Sequence, residues 1–384
     1  MAIYLDNGAT SFPKPEEVYR AVDRAMREFG ANPGRGGHQL ALAASRIVLE
    51  TRETVAEFLG IKDSSRIIFT NNATMALNMA LFGLLQAGDR VVTSTMEHNS
   101  VVRPLRALQE RGVQVVKVAA DQRGWVDPAS VIDACRQQRT RLVVLSHCSN
   151  VTGTIQPFEE IALWCRREGI LFCLDAAQSA GLLPIHADAM NIDLLAVPGH
   201  KGLFGPQGTG ALYVRDGIEL APLIYGGTGA NSNSELQPDE FPERLESGTL
   251  NTPGLAGLKA GIDFLNTEGI AKVRERETAH MAALLSGLKA IPGVELYGPG
   301  EASLHGGVVS FNLVGRDPAE IGFLLDHRHG ILTRVGLHCA PDAHRSIGTF
   351  PRGTVRVSPG YFTVDAEIDQ FLAALQSLAS QSGH

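Results

Sequence analysis

Short apolar runs and longer amphipathic stretches alternate through the first half of the chain. Arg66–Thr70 precedes Thr74–Leu85, Arg90–Ser94 precedes Val101–Arg111, and Val113–Ala119 precedes Pro128–Gln138. Arg141–Ser146 then precedes Pro157–Glu168, and Ile170–Asp175 follows. The short runs read as buried strands and the stretches between them as helices. Strand and helix in regular alternation predict an α/β fold, a mostly parallel sheet covered by helices. Ligand sites in such sheets gather at the carboxyl ends of the strands. Polar segments stand at those ends: Asn71–Thr74, Met96–Asn99, His147–Asn150, Asp175–Gln178 and Gly199–Lys201.

The pattern changes at Gly226–Thr252, which has little apolar periodicity and reads as an extended functional loop. Beyond it Leu255–Leu265, Ile270–Leu288, Ala319–Gly330 and Ala366–Leu378 look helical, while Gly307–Leu313 and Val355–Ser358 look like strands. The expected organisation is a large α/β domain over 15–255 and a smaller α+β domain built from 1–14 and 256–384. No internal repeat or low-complexity tract interrupts it.

The 384 residues exceed one compact core, which agrees with two domains. With 44% hydrophobic and 20% charged residues, the composition is that of an ordinary globular chain rather than a disordered or membrane one. A net charge of −7 provides no basic field for nucleic acid or an anionic lipid surface. Met1–Asp6 has no basic segment leading into an apolar one, and no later run approaches bilayer length, so a cytoplasmic protein is expected. The five cysteines form no C-x-x-C pair, which argues against a disulfide framework or structural zinc. Cys135, Cys148, Cys165 and Cys173 lie in apolar or helical segments and read as small buried hydrophobes. Cys339, flanked by His338 and Ala340-Pro341, lies on a polar, turn-forming stretch where a thiol is accessible.

Two residues suggest a cofactor. Lys201 stands between the apolar run Leu194–Val197 and a glycine-rich loop, and Asp175 ends the run Ile170–Leu174. Pyridoxal 5'-phosphate needs a lysine amine for its aldehyde and a carboxylate to keep its pyridine nitrogen protonated. Either residue alone is more simply a cap or a solvated charge.

The ordered set Tyr4–Thr10, Asn72–Asn78, Met96–Ser100, Ser149–Gly153, Leu174–Ser179, Gly199–Lys201, Ser247–Thr252 and Arg334–Cys339 resembles the class V aminotransferase fold, and within it the group II cysteine desulfurases and selenocysteine lyases. The resemblance spans nearly the whole chain. It implies the fold type I of pyridoxal-phosphate-dependent transferases, with Lys201 as the Schiff-base lysine and proton carrier, Asp175 paired with the pyridinium nitrogen and Gln178 donating to the phenolic oxygen. His98 stacks on the ring face in that pattern, and Ala73, Thr74 and His200 hold the phosphate. A threonine before an apolar run is also a plain helix N-cap, a role compatible with this one. Thr249 corresponds to a residue that reaches the phosphate of a neighbouring subunit, which implies a homodimer. Arg356 matches the anchor for a substrate carboxylate, Asn150 a second contact to it, and Arg334 and His38 positions lining the pocket. Cys339 matches the nucleophile that takes sulfur from the substrate as a persulfide, leaving alanine, before a separate acceptor protein receives it.

Three positions depart from the pattern. Pro198 replaces a serine that helps to bind phosphate, the segment between Cys339 and Arg356 is longer, and Thr363 stands where asparagine is common. These leave the exact substrate open: a selenocysteine lyase, or another aminotransferase or C–S lyase of the same fold in which Cys339 is not essential, is the alternative. No spaced His/Cys/Asp cluster reads as a metal site.

Overall fold

The computed structural model of the chain describes residues 2–34, 36–229 and 233–380. A seven-stranded sheet organises the larger part, in the order Ile67–Thr70, Gly210–Val214, Leu194–Pro198, Leu171–Asp175, Leu142–Ser146, Arg90–Ser94 and Gln114–Val118. Gly210–Val214 runs antiparallel to both its neighbours, and the other pairings are parallel. The mostly parallel sheet expected from the alternation is therefore present.

Burial on both faces explains why these strands read as continuous apolar runs. In Leu142–Ser146 the period of two sends Val143 and Leu145 to one core and Leu142 and Val144 to the other. Helix Ala73–Leu84 covers the second core with Ala76, Leu77, Ala80 and Leu81. Helices Gln39–Phe58 and Phe158–Glu168 cover the first, through Val48, Val55, Phe158 and Ile161.

Three elements of this region were not visible in the pattern. Glu16–Glu28 buries only Val18 and Ala25, and ion pairs between residues one turn apart lace its exposed face, so its apolar signal is thin. Gln39–Phe58 and the strand Gly210–Val214 were likewise unassigned.

The smaller sheet is antiparallel, with Arg334–Gly336, Thr354–Val357, Val309–Leu313 and Val294–Tyr297 in that order. Helices Ile270–Ala290, Pro318–His329 and Asp365–Ser380 pack on it through Met281, Leu284, Leu325, Phe371 and Leu375. The N-terminal strand Ile3–Tyr4 pairs in parallel with Ile331–Leu332, which joins the first residues to this unit. Helix Thr252–Glu268 straddles position 255 and buries Leu255, Leu258, Ile262 and Leu265 in the core of the large sheet. The described residues of Gly226–Thr252 form no strand or helix before Thr252, and 230–232 of that loop lie outside the described residues.

Candidate active site

A cleft of about 510 Å³ opens at the carboxyl ends of the large sheet. All five polar segments that follow the apolar runs contribute to it, through Ala73, His98, Asn150, Asp175 and Lys201 among others.

Lys201 lies three residues beyond strand Leu194–Pro198. Burial, followed by the positive charge of Arg356, pulls its amine from 10.5 down to about 8. Asp175 is the last residue of its strand and is 4% exposed, so its carboxylate sits at the floor of the cleft. Burial raises its pKa, while the Ala177 N–H, which donates to Oδ1 at 2.9 Å, and the charge of Lys201 oppose the rise. Gln178 lines the cleft, and its amide donates to the Gly8 carbonyl at 2.9 Å.

His98 caps helix Asn99–Glu110: its Nδ1 accepts from the Ser100 N–H at 3.0 Å, which leaves the proton on Nε2. Burial, then the charges of Lys201 and Arg356, lower its pKa to about 4, so the ring is neutral near pH 7.

The helix that begins at Ala73 is capped by Asn72, whose side chain accepts from Met75 N–H at 2.9 Å. Thr74 is therefore not the cap. Its hydroxyl lies 2.7 Å from Ser100 Oγ and the residue lines the cleft. The start of this helix, with its first N–H groups and positive dipole end, lines the cleft through Asn72, Ala73 and Thr74. His200 adds a buried Nδ1 with no partner among the described residues. Pro198 also lines the cleft and offers no donor. Thr249 is exposed and lines a neighbouring cavity with Asn71 and Ser247, so within one chain it does not reach the cleft.

Arg356, 2% exposed, lies beside the cleft through its contact with Asn150, and neither it nor Arg334 is among the residues that line the cleft. Arg356 donates to Asp6 Oδ1 at 2.9 Å and to the Asn150 carbonyl at 3.0 Å, and its Nε has no partner among the described residues. Arg334 reaches the other Asp6 oxygen at 3.5 Å. Cys339 is exposed and lines a groove of about 770 Å³ together with Thr74, His98 and Ser100, three residues that also line the cleft. His38 is exposed, caps helix Gln39–Phe58 by accepting from Ala41 N–H at 3.3 Å, and does not line the cleft. The expectation that it lines the pocket is not met within the chain, because it stands exposed at the start of helix Gln39–Phe58, away from the residues that line the cleft.

Sequence reasoning missed two groups. Asp6, at the end of an apolar pair, organises both arginines. Glu97, 1% exposed, accepts from the Ser94 hydroxyl at 2.6 Å, and from the Ser146 N–H and hydroxyl at 2.9 and 2.8 Å, tying two strand ends together beside Asp175. Its only sequence signal was its place beside His98.

The donor set fits pyridoxal 5'-phosphate. A depressed lysine amine, a buried carboxylate receiving one hydrogen bond, an uncapped pair of helix N–H groups and an orphaned imidazole nitrogen match its aldehyde, pyridinium N–H and phosphate in turn.

Fold and site together define a class, and the Aminotransferase class-V family profile matches residues 3–371. The chain belongs to that family. Within it, a probable cysteine desulfurase of Methanothermobacter thermautotrophicus is 39% identical over 98% of this chain and 94% of its own length. A cysteine desulfurase of Pectobacterium atrosepticum is 31% identical over 98% and 92%. The apo structure of a cysteine desulfurase from Thermococcus onnurineus superposes with a TM-score of 0.92 at 34% identity, covering 98% of this chain and 94% of the other. The expected family and fold are thereby met. Among the described residues no helix is long and apolar enough to cross a membrane.

Proposed function

We propose that this chain is a pyridoxal-phosphate-dependent cysteine desulfurase, which converts L-cysteine to L-alanine and holds the sulfur on Cys339 as a persulfide. The observation that carries this is the shared groove: the exposed Cys339 thiol opens onto the same residues, Thr74, His98 and Ser100, that wall the cleft containing Lys201 and Asp175.

When bound, the cofactor supplies an electron sink for the bonds around the substrate's Cα. Lys201 would hold it covalently, Asp175 its ring N–H, Gln178 its phenolic oxygen, His98 its ring face, and Ala73, Thr74 and His200 its phosphate. Thr249 of a second copy would complete the phosphate site, making the working form a homodimer. Arg356 presents a guanidinium to the substrate carboxylate, flanked by Asn150 and Arg334.

With a pKa of about 8, about a tenth of Lys201 amines are neutral at pH 7, enough to take a proton from Cα and return one. The Cys339 thiolate attacks the substrate sulfur. A sulfur–sulfur bond forms, the Cβ–S bond breaks, and its electron pair stays on carbon, which takes a proton to become the methyl group of alanine. An exposed persulfide can then pass its outer sulfur to the thiol of an acceptor protein in the cytoplasm.

The test is incubation of the cofactor-loaded protein with L-cysteine and a reductant. Alanine and sulfide should appear in equal amounts. Cys339→Ala should lose both and keep the visible absorption of the bound cofactor; alanine formation that persists in this variant would defeat the persulfide role.

A further inference from the structure

The turn that carries Cys339 is held from behind by a hydrogen-bond network through His338, Thr354 and Ser310, residues that the chemistry above does not use. His338 and Cys339 have φ of 46° and 58°, two successive non-glycine residues in the left-handed region. Side chains disfavour that region, and such a pair persists only when its surroundings fix it.

The fixing contacts are specific. The Asn99 N–H donates to the Cys339 carbonyl at 2.7 Å. The Asn150 side-chain amide donates to the His338 carbonyl at 2.6 Å. The His338 ring is buried, and its Nε2 lies 3.1 Å from Thr354 Oγ1.

The direction of the ring's hydrogen bond follows from the rest of the chain. The Ser310 hydroxyl donates to the Val151 carbonyl at 2.6 Å, and the Thr354 hydroxyl donates to Ser310 Oγ at 3.1 Å. Thr354 has therefore spent its proton and accepts from His338 Nε2–H. The ring is neutral, because burial, then the charge of Arg356, hold its pKa well below the ordinary 6.5.

Both ends of the network return to the carboxylate anchor. His338 is tied to Asn150 through its carbonyl and to the adjacent Val151 through Thr354 and Ser310. The Asn150 carbonyl accepts from Arg356. Ser310 is the cross-strand partner of Arg356, and Thr354 lies two residues before Arg356 on the same strand. One connected set of hydrogen bonds thus joins the substrate's expected anchor to the backbone of the thiol.

We propose that His338 is a positioning residue for the Cys339 thiol: its ring, anchored on Thr354, holds the left-handed turn in register with the Asn150–Arg356 segment. The proposal rests on the reading of Cys339 as the sulfur-accepting nucleophile.

Thr354→Val removes the acceptor at nearly constant shape, and Thr354→Ser retains it. Both are compared with wild type as cofactor-loaded enzymes, by steady-state alanine formation from L-cysteine and by amide hydrogen exchange read on the peptide covering Leu337–Ala340. Thr354→Val should lower kcat about tenfold to a hundredfold with little change in KM, as expected when a reacting group is displaced by about 1 Å. Exchange should speed up in that peptide and not across the small sheet, and Thr354→Ser should restore both values.

Unchanged exchange in the Leu337–Ala340 peptide of Thr354→Val would overturn the proposal, as would a kcat loss that serine does not restore. A wild type that forms no alanine would instead defeat the desulfurase reading. The exchange comparison would still decide whether His338 holds the turn.

Discussion

Glu97→Gln isolates the effect of burying a carboxyl beneath the cleft. Glu97 is 1% exposed, and burial raises its pKa from 4.5 to about 7 against the hydrogen bonds from Ser94 and Ser146 that favour the ionised form. A carboxyl whose folded pKa lies above its unfolded one binds its proton more tightly in the fold. Its contribution is therefore fully present below pH 4.5 and is lost as pH rises to about 7. The raised pKa corresponds to about 3 kcal/mol of stability lost across that window. Glutamine cannot ionise, so the variant lacks this slope. It carries instead a pH-independent offset of about 1–3 kcal/mol where an amide N–H faces donors rather than acceptors. The assay is urea unfolding followed by fluorescence of Trp125 and Trp164, the two tryptophans of the chain, at pH values from 4.5 to 8. The variant should gain on wild type by about 3 kcal/mol as pH rises over this range, whatever the offset at the acid end. Parallel curves would refute the reasoning, since they would mean that Glu97 ionises in the fold as readily as in water.

Two further outcomes test other parts of the structure. Arg52 and Glu246 form a buried pair at 2.7 and 2.9 Å, and the same glutamate accepts from Phe69 N–H. Arg52→Met leaves that carboxylate buried without its cation and should cost about 3–5 kcal/mol in urea unfolding. Arg356→Gln removes the charge that follows burial as a cause of the low Lys201 pKa. The pH midpoint for the rate at which cofactor-free protein takes up added pyridoxal 5'-phosphate should move upward from about 8, and an unmoved midpoint would assign the depression to burial alone.

The large sheet was legible because its strands are buried on both faces and the chain alternates strand with helix, so runs such as Leu142–Ser146 stand out without tertiary information. Glu16–Glu28 was not, because charged residues dominate a helix that buries two side chains. The cap at Asn72 was misplaced to Thr74 because both are good capping residues, and which one takes the role depends on where the strand before it ends. Lys201, Asp175, Gln178 and His98 were found through local motifs, and the fold brings them into one cleft. Asp6 and Glu97 stand inside the motifs Tyr4–Thr10 and Met96–Ser100 but escaped because the partners that give them weight, the two arginines and Ser146, are distant in sequence. Asp6 meets Arg356 across a separation of 350 residues, which no local pattern reveals.

That long-range pairing modulates the electrostatics of the site, in which burial is the largest influence on Lys201. Lys201 is lowered by burial and by Arg356, and raised in turn by Asp175 and Asp6. Asp6 also binds the two arginines, so it partly neutralises the field that depresses the lysine. If Arg356 anchors the substrate as proposed, an arriving carboxylate would add a second negative charge to that cluster. The depression of Lys201 by the guanidinium would then weaken, and the amine would bind protons more readily in the loaded site than in the empty one. An amine that attacks a carbonyl must be neutral, whereas one that has taken a proton from Cα must retain it long enough to return it. Asp6, two residues beyond the N-terminal strand Ile3–Tyr4, supplies the carboxylate that offsets the two arginines, so in the proposed chemistry it would help to balance the lysine between those demands.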